Sequence, residues 1–207
     1  MAVRAAVAMM AVVTVVVLLL QAWGCRASDP ELTQDFLLPE GVNASGDFFT
    51  YTGFRAGPQA APGMFKALKA PAEAFPALAG LGVSAALLEY QPGSQNTPHT
   101  HPRGTELLFL LDGSLIVGLV DSAGNFFNQT LQRGDLFVFP KGLVHFQVNP
   151  SSSKTAMAIA SFSSSSPGTV SLPSTLFGSG IPSSVLAQAF SVDENALSEL
   201  EGPFSHT

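Results

Sequence analysis

The sequence predicts an all-β domain, a barrel or a sandwich, preceded by irregular chain and followed by helices. Two observations carry most of that expectation. Apolar runs of strand length, each bounded by turn residues, follow one another at even spacing between residues 80 and 162. The spacing of apolar residues then changes to a helical one beyond residue 180. Length adds a third: about 180 residues remain once a leader-like N-terminus is set aside, enough for one domain with a sizeable core.

Residues 1–27 have the layout of a secretory signal peptide, with Arg4, an uncharged apolar block to Leu20 and small residues ahead of Ser28-Asp29-Pro30. Cleavage after Ala27 and cleavage after Gly24 both satisfy the small-residue rule. A membrane anchor would need more stop-transfer charge than Arg26 supplies. Removal after Ala27 takes away Cys25, the only cysteine, so the mature chain carries no disulfide and must be stabilised by packing or assembly. Arg4 and Arg26 leave too, so nine basic residues become seven against fifteen acidic ones, a net charge of −8. That disfavours nucleic acid, anionic membrane or any other polyanion as a partner. Asn43-Ala44-Ser45 and Asn128-Gln129-Thr130 are acceptor sequons for N-glycosylation, whereas Asn149-Pro150-Ser151 is excluded by its proline.

Residues 28–79 scatter Pro, Gly and Ala between short apolar pieces and are expected to form an N-terminal arm, pinned to the body by Phe54, Met64, Phe65 and Leu68. Residues 80–168 are expected to hold the barrel core. Its seven runs are residues 83–90, a histidine-bearing run that continues to residue 111, then 114–120, 126–131, 136–139, 143–148 and 155–162. Asp112-Gly113 is a hairpin signal between the second and third. Arg133-Gly134-Asp135 reads as a Gly-Asp turn rather than an adhesion signal. Residues 169–207 are expected to close the barrel with two short helices, one presenting Val185, Leu186, Ala189 and Phe190, the other Ala196, Leu197 and Leu200. A capping box over Ser191-Val192-Asp193-Glu194 is expected to separate them.

Within this frame, three of the four histidines gather around one short stretch of chemistry. His99 and His101, two apart on a strand, point to the same face, and Glu106 follows across the bend at Pro102-Arg103-Gly104. His145 comes from a neighbouring strand. Three imidazoles and a carboxylate, with no thiolate, argue against a soft-metal or iron–sulfur site. Four protein ligands with room for water suit octahedral Mn(II) first and Fe(II) second, whereas zinc more often takes four tetrahedral ligands. A lone buried histidine is usually just a hydrogen-bonded core residue, but the four side chains together point to a metal. His206, in the polar tail, is expected to be exposed.

Residues 93–113, followed by Gly134-Asp-Leu-Phe-Val-Phe-Pro-Lys-Gly-Leu-Val-His145, resemble the two motifs of the cupins, and more specifically of the plant germin-like proteins. The likeness spans the mature chain, from Asp29-Pro30 and Gln34-Asp35-Phe36 through Leu81-Gly82-Val83-Ser84 to Leu176-Phe177-Gly178. It implies a single-domain cupin jelly-roll β-barrel, manganese held by His99, His101, Glu106 and His145, secretion to the apoplast or cell wall, and a homohexamer built as a trimer of dimers with clasping C-terminal helices. Two departures matter. The N-terminal cysteine pair of germins is absent, since Phe36 is followed by Leu37-Leu38. Of the two asparagines thought to position oxalate in oxalate-oxidising germins, Asn96 matches one as a substrate-pocket residue, but Ala86 stands in place of the other. Loss of that donor argues against oxalate oxidation. The resemblance therefore implies a secreted manganese glycoprotein of defence or wall peroxide metabolism with superoxide dismutase-type activity. The alternative is a non-enzymatic wall or auxin-type binding protein in which the metal is a structural staple.

Overall fold

The computed structural model describes residue 29 and residues 32–204, so the expected signal peptide, Cys25 and His206 lie outside the described residues. Two five-stranded antiparallel sheets face each other. One runs in the order β1 (Phe65–Ala70), β2 (Ser84–Tyr90), β9 (Ala156–Phe162), β4 (Glu106–Asp112), β7 (Leu136–Phe139). The other runs β10 (Val170–Ser171), β3 (Gln95–Thr100), β8 (Val144–Val148), β5 (Ser114–Val120), β6 (Phe126–Gln132). From β2 to β5 and again from β6 to β10 each strand lies in the sheet opposite its predecessor, leaving β1 with β2 and β5 with β6 as the local antiparallel pairs. This is the jelly-roll pattern expected from the sequence.

Alternation explains why these segments are strands. Along β2 the inward residues are Ser84, Ala86, Leu88 and Tyr90, and along β9 they are Ala156, Ala158, Ala160 and Phe162, all buried. Leu108 and Leu110 from one sheet meet Leu115 and Val117 from the other, each fully buried, to fill the sandwich.

Several expectations are corrected here. The histidine-bearing run is two strands in opposite sheets, because the Pro102-Arg103-Gly104 bend carries the chain across the sandwich. Asp112-Gly113 does not close a hairpin: β4 and β5 do not pair, and Gly113, at φ +82°, turns the chain between sheets. The arm contributes β1, which pairs along its whole length with β2. Phe65 packs on the core from that strand, but Met64 is exposed, since it precedes the first pair. The arm also returns to the body at Asp29, whose carboxylate accepts from Ser164 Oγ and Ser165 N, each at 2.7 Å.

Three helices follow the sheets: α1 (Leu172–Phe177), α2 (Ser183–Phe190) and α3 (Glu194–Glu201). The first was not expected; Pro173 in its first turn supplies a helical φ where a missing N–H costs nothing. Leu186 and Leu197 are the buried anchors of α2 and α3, whereas Val185, Phe190 and Leu200 remain exposed. The capping box does not form. Ser191 ends α2 in the left-handed region at φ 54°, and Asp193 caps α3 by accepting from Ala196 N at 2.9 Å. No helix among the described residues is long and apolar enough to cross a membrane.

Candidate metal centre

The site lies between the sheets. His99 and His145 are directly opposed partners on β3 and β8, His101 follows one residue beyond β3, and Glu106 opens β4 in the facing sheet. All four are buried, and one ligand atom from each falls within 4.8 Å of the others. The sequence reading thus located the four side chains that the fold brings together.

The bend between His101 and Glu106 is held from both sides. Gly142 N donates to His101 O at 3.0 Å, Arg103 N to Pro167 O at 3.1 Å, and Thr105 N to Ser163 Oγ at 2.9 Å. The serine run at 163–166 is therefore a brace for the site.

Each imidazole is aimed by a backbone carbonyl. His99 Nδ1 donates to Thr97 O and His145 Nδ1 to Leu143 O, both at 2.8 Å, and His101 Nδ1 donates to Gly168 O. A carbonyl can only accept, so the proton sits on Nδ1 and the Nε2 lone pair is left for the interior. Phe139 stacks on His145 with centroids 4.3 Å apart, and Phe162 meets His101 edge-on at 4.8 Å, which restricts both rings.

The remaining geometry tests whether a cation fits. Glu106 Oε2 lies 2.9 Å from His101 Nε2 and 3.4 Å from His145 Nε2. With Nδ1 protonated, these are acceptors facing an acceptor, an arrangement that is repulsive unless a proton or metal ion lies among them. Burial works to raise the Glu106 carboxyl, but when His101 and His145 carry that proton on Nε2 their hydrogen bonds and charge reverse this and bring it down to about 2. Burial, aided by the His145 charge, holds His99 down at about 4. A carboxylate and an imidazole that stay unprotonated at neutral pH are what a metal requires, so the donor set fits Mn(II) or Fe(II).

Two side chains not singled out in the sequence complete the buried network. Gln147 Nε2 donates to Glu106 Oε1 and Tyr90 Oη to Gln147 Oε1, each at 3.4 Å. Gln147 was accessible to the same i, i+2 rule, since it follows His145 by two on β8. Burial and the Glu106 charge push the Tyr90 phenol well above its ordinary range, so it remains a donor. Asn96 is positioned by a bulge. The register shifts between Asn96 and His99, so two residues an odd number apart both face inward, and Asn96 Nδ2 lies 3.3 Å from His99 Nε2. Of the sequons, Asn43 is in an exposed loop and Asn128 is exposed on edge strand β6. Asn149 is buried and donates to three backbone carbonyls, a purely structural role.

Two facing sheets enclosing a buried three-histidine, one-glutamate cluster define a cupin, and the family model described as Cupin matches residues 54–198. The chain belongs to the germin-like proteins of that family. It is 43% identical over 202 residues to putative germin-like protein 9-2 of Oryza sativa subsp. japonica, covering 91% of this chain and 93% of the relative. It is 42% identical over 195 residues to germin-like protein subfamily 2 member 1 of Arabidopsis thaliana, covering 86% and 89%. Among solved structures, an oxalate oxidase in complex with the substrate analogue glycolate superposes with a TM-score of 0.77 at 31% identity, covering 86% of this chain and 98% of that one.

Proposed function

We propose that this chain is a secreted, manganese-binding germin-like glycoprotein of the plant apoplast or cell wall that dismutates superoxide. The convergence of four ligand atoms, from three imidazoles and a carboxylate, on one buried point carries this reading. His99, His101, Glu106 and His145 would hold the ion. When bound, manganese supplies a centre that alternately takes up and returns an electron, so that two superoxide anions and two protons give one O2 and one H2O2. The chain's own residues select what reaches that point. The cavity beside the ligands is small, about 50 Å³, which suits a diatomic anion and a few waters. Asn96 Nδ2 borders it as a donor. Ala86, 1% exposed in its wall, offers a bound dianion no hydrogen bond, a loss of about 1–3 kcal/mol, which sets oxalate oxidation aside in this reading.

Assembly into a homohexamer belongs to the same proposal. Leu107 and Val138 are opposed on the outer face of β4 and β7, with Leu136 beside them, and are 45%, 50% and 59% exposed. A second copy of the chain would cover such a stripe. The exposed Asn43 and Asn128 suit glycan attachment.

Metal analysis of purified secreted protein, with dismutase and oxalate assays on the same sample, tests the reading. Stoichiometric manganese is expected, with dismutase activity above that of free manganese that is lost in His99→Ala and His145→Ala. Metal-loaded protein no more active than the free ion would instead favour the metal as a structural staple in a non-enzymatic wall protein.

A further inference from the structure

Lys69 occupies an inward position that the alternation of β1 reserves for apolar side chains. It pairs with the buried Ala86 across to β2, as Ala67 pairs with Leu88 and Phe65 with Tyr90, so all three face the sandwich interior. Phe65 and Ala67 pack on the core, but Lys69, nearer the rim, is exposed. Its Nζ donates to Thr169 Oγ1 at 3.1 Å, in the segment whose Gly168 carbonyl aims His101.

Two cavities meet at this point. The inner one, about 50 Å³, touches the metal ligands; an outer, half-open one of about 170 Å³ reaches solvent past Glu73, Ser166 and Pro167. Lys69, Thr169, Phe162 and His101 line both. Anything passing from solvent to the ligand cluster by this route passes an ammonium group. The one carboxylate lining the outer cavity, Glu73, already accepts from Ser166 Oγ at 3.0 Å, and Arg103 donates to the same serine's carbonyl at 2.6 Å. Glu73 sits only at the outer cavity, whereas the Lys69 ammonium lines both and is the cation on the way between them.

We propose that Lys69 is the specificity-determining residue of this site: an ammonium that exchanges Thr169 Oγ1 for an incoming small monoanion and holds it beside the metal ligands. The inference rests on the reading of the cluster as a metal centre acting on a small anion, and it assigns recognition to a side chain that is not a ligand. The small inner cavity and single cation match one negative charge on a few atoms. A flexible lysine suits this task, because it can follow the anion inward while its charge remains partly solvated.

The test titrates manganese-loaded protein with azide and, separately, formate, followed by the Mn(II) electron paramagnetic resonance spectrum, with metal content measured for every variant. Lys69→Gln is expected to weaken azide and formate binding about five- to tenfold at unchanged metal content, the loss of one charge-assisted contact at a partly exposed position. Lys69→Arg should stay within about twofold of wild type, and the wild-type affinity should fall with added salt while that of Lys69→Gln falls less. Lys66→Gln removes the same charge from the outward face of β1 and should change nothing. Thr169→Val, which leaves the ammonium without its resting partner, should bind azide as tightly as wild type or tighter. Equal azide affinity in wild type and Lys69→Gln would overturn the proposal. So would a pattern in which Lys69→Gln and Thr169→Val lower the melting temperature alike with no change in anion affinity, since that describes a structural clasp. Oxalate binding more tightly than formate through Lys69 would overturn the assignment to monoanions. A wild type without dismutase activity whose azide affinity still depends on Lys69 would refute the dismutase reading and support this one.

Discussion

His99 shows how a ligand position alters the stability of the metal-free chain. Burial and the neighbouring His145 hold it at about 4 against an ordinary 6.5. Between those values the unfolded chain carries the proton and the folded chain does not, so stability rises with pH across the window and is lost as pH falls through it. The loss is on the order of 3 kcal/mol by linkage. Glu106, brought down from 4.5 to about 2, extends the loss further into acid. Urea unfolding of chelated protein between pH 4 and 7 should show this slope, and His99→Gln should flatten its upper part. A wild-type profile that is flat above pH 4 would refute the account. The metal-loaded protein should resist acid longer, because the ion competes with protons for the same lone pairs.

Backbone geometry at three turns sets what the strands and helices can present. Gly113 stands at φ +82°, and a Cβ there would lie 2.8 Å from Ala156 Cα, a backbone atom that cannot yield locally. Gly113→Ala should therefore cost more than about 1 kcal/mol and lower the melting temperature by at least about 2 °C. The helix pair offers an opposing test. Asp193 is the working cap of α3, so Asp193→Ala should cost about 1 kcal/mol locally and speed amide exchange of α3. Ser191 is strained in the left-handed region, so Ser191→Gly should gain about 0.5–1 kcal/mol. A capping box would have given the reverse at Ser191, and amide exchange in the two variants distinguishes them. The bulge in β3 belongs with these features. It brings Asn96 and His99 to one face, and Pro98, which has no N–H to lose, sits inside the irregular stretch.

The sandwich as a body has to do without a disulfide if its leader is removed as expected, so metal and assembly become the available sources of extra stability. Chelation is expected to lower the melting temperature by several degrees, since the acceptors around Glu106 then face one another without a shared ion. A melting temperature unchanged by chelation, checked by calorimetry, would remove the structural role of the metal. Leu107→Glu or Val138→Glu should shift the protein to smaller species in sedimentation velocity, while metal content per chain stays constant. An unchanged sedimentation coefficient would rule this stripe out as a subunit contact.

The amino-acid sequence alone determined the all-β class, most strand positions and the four candidate ligands, because alternation and local spacing reside in the chain itself. His99 and His101 are two apart, and His145 follows a Gly turn into a strand. What only the tertiary structure decided is which strands face which. Asp112-Gly113 has the composition of a hairpin, yet it joins opposite sheets, because pairing depends on neighbours far away in the chain. Phe65–Ala70, with lysines and alanines in place of a strong apolar contrast, becomes a strand only because β2 offers it an edge. That long-range pairing turns Lys69 inward, opposite Ala86 and beside the three-histidine, one-glutamate cluster, a placement no local pattern in the sequence could supply.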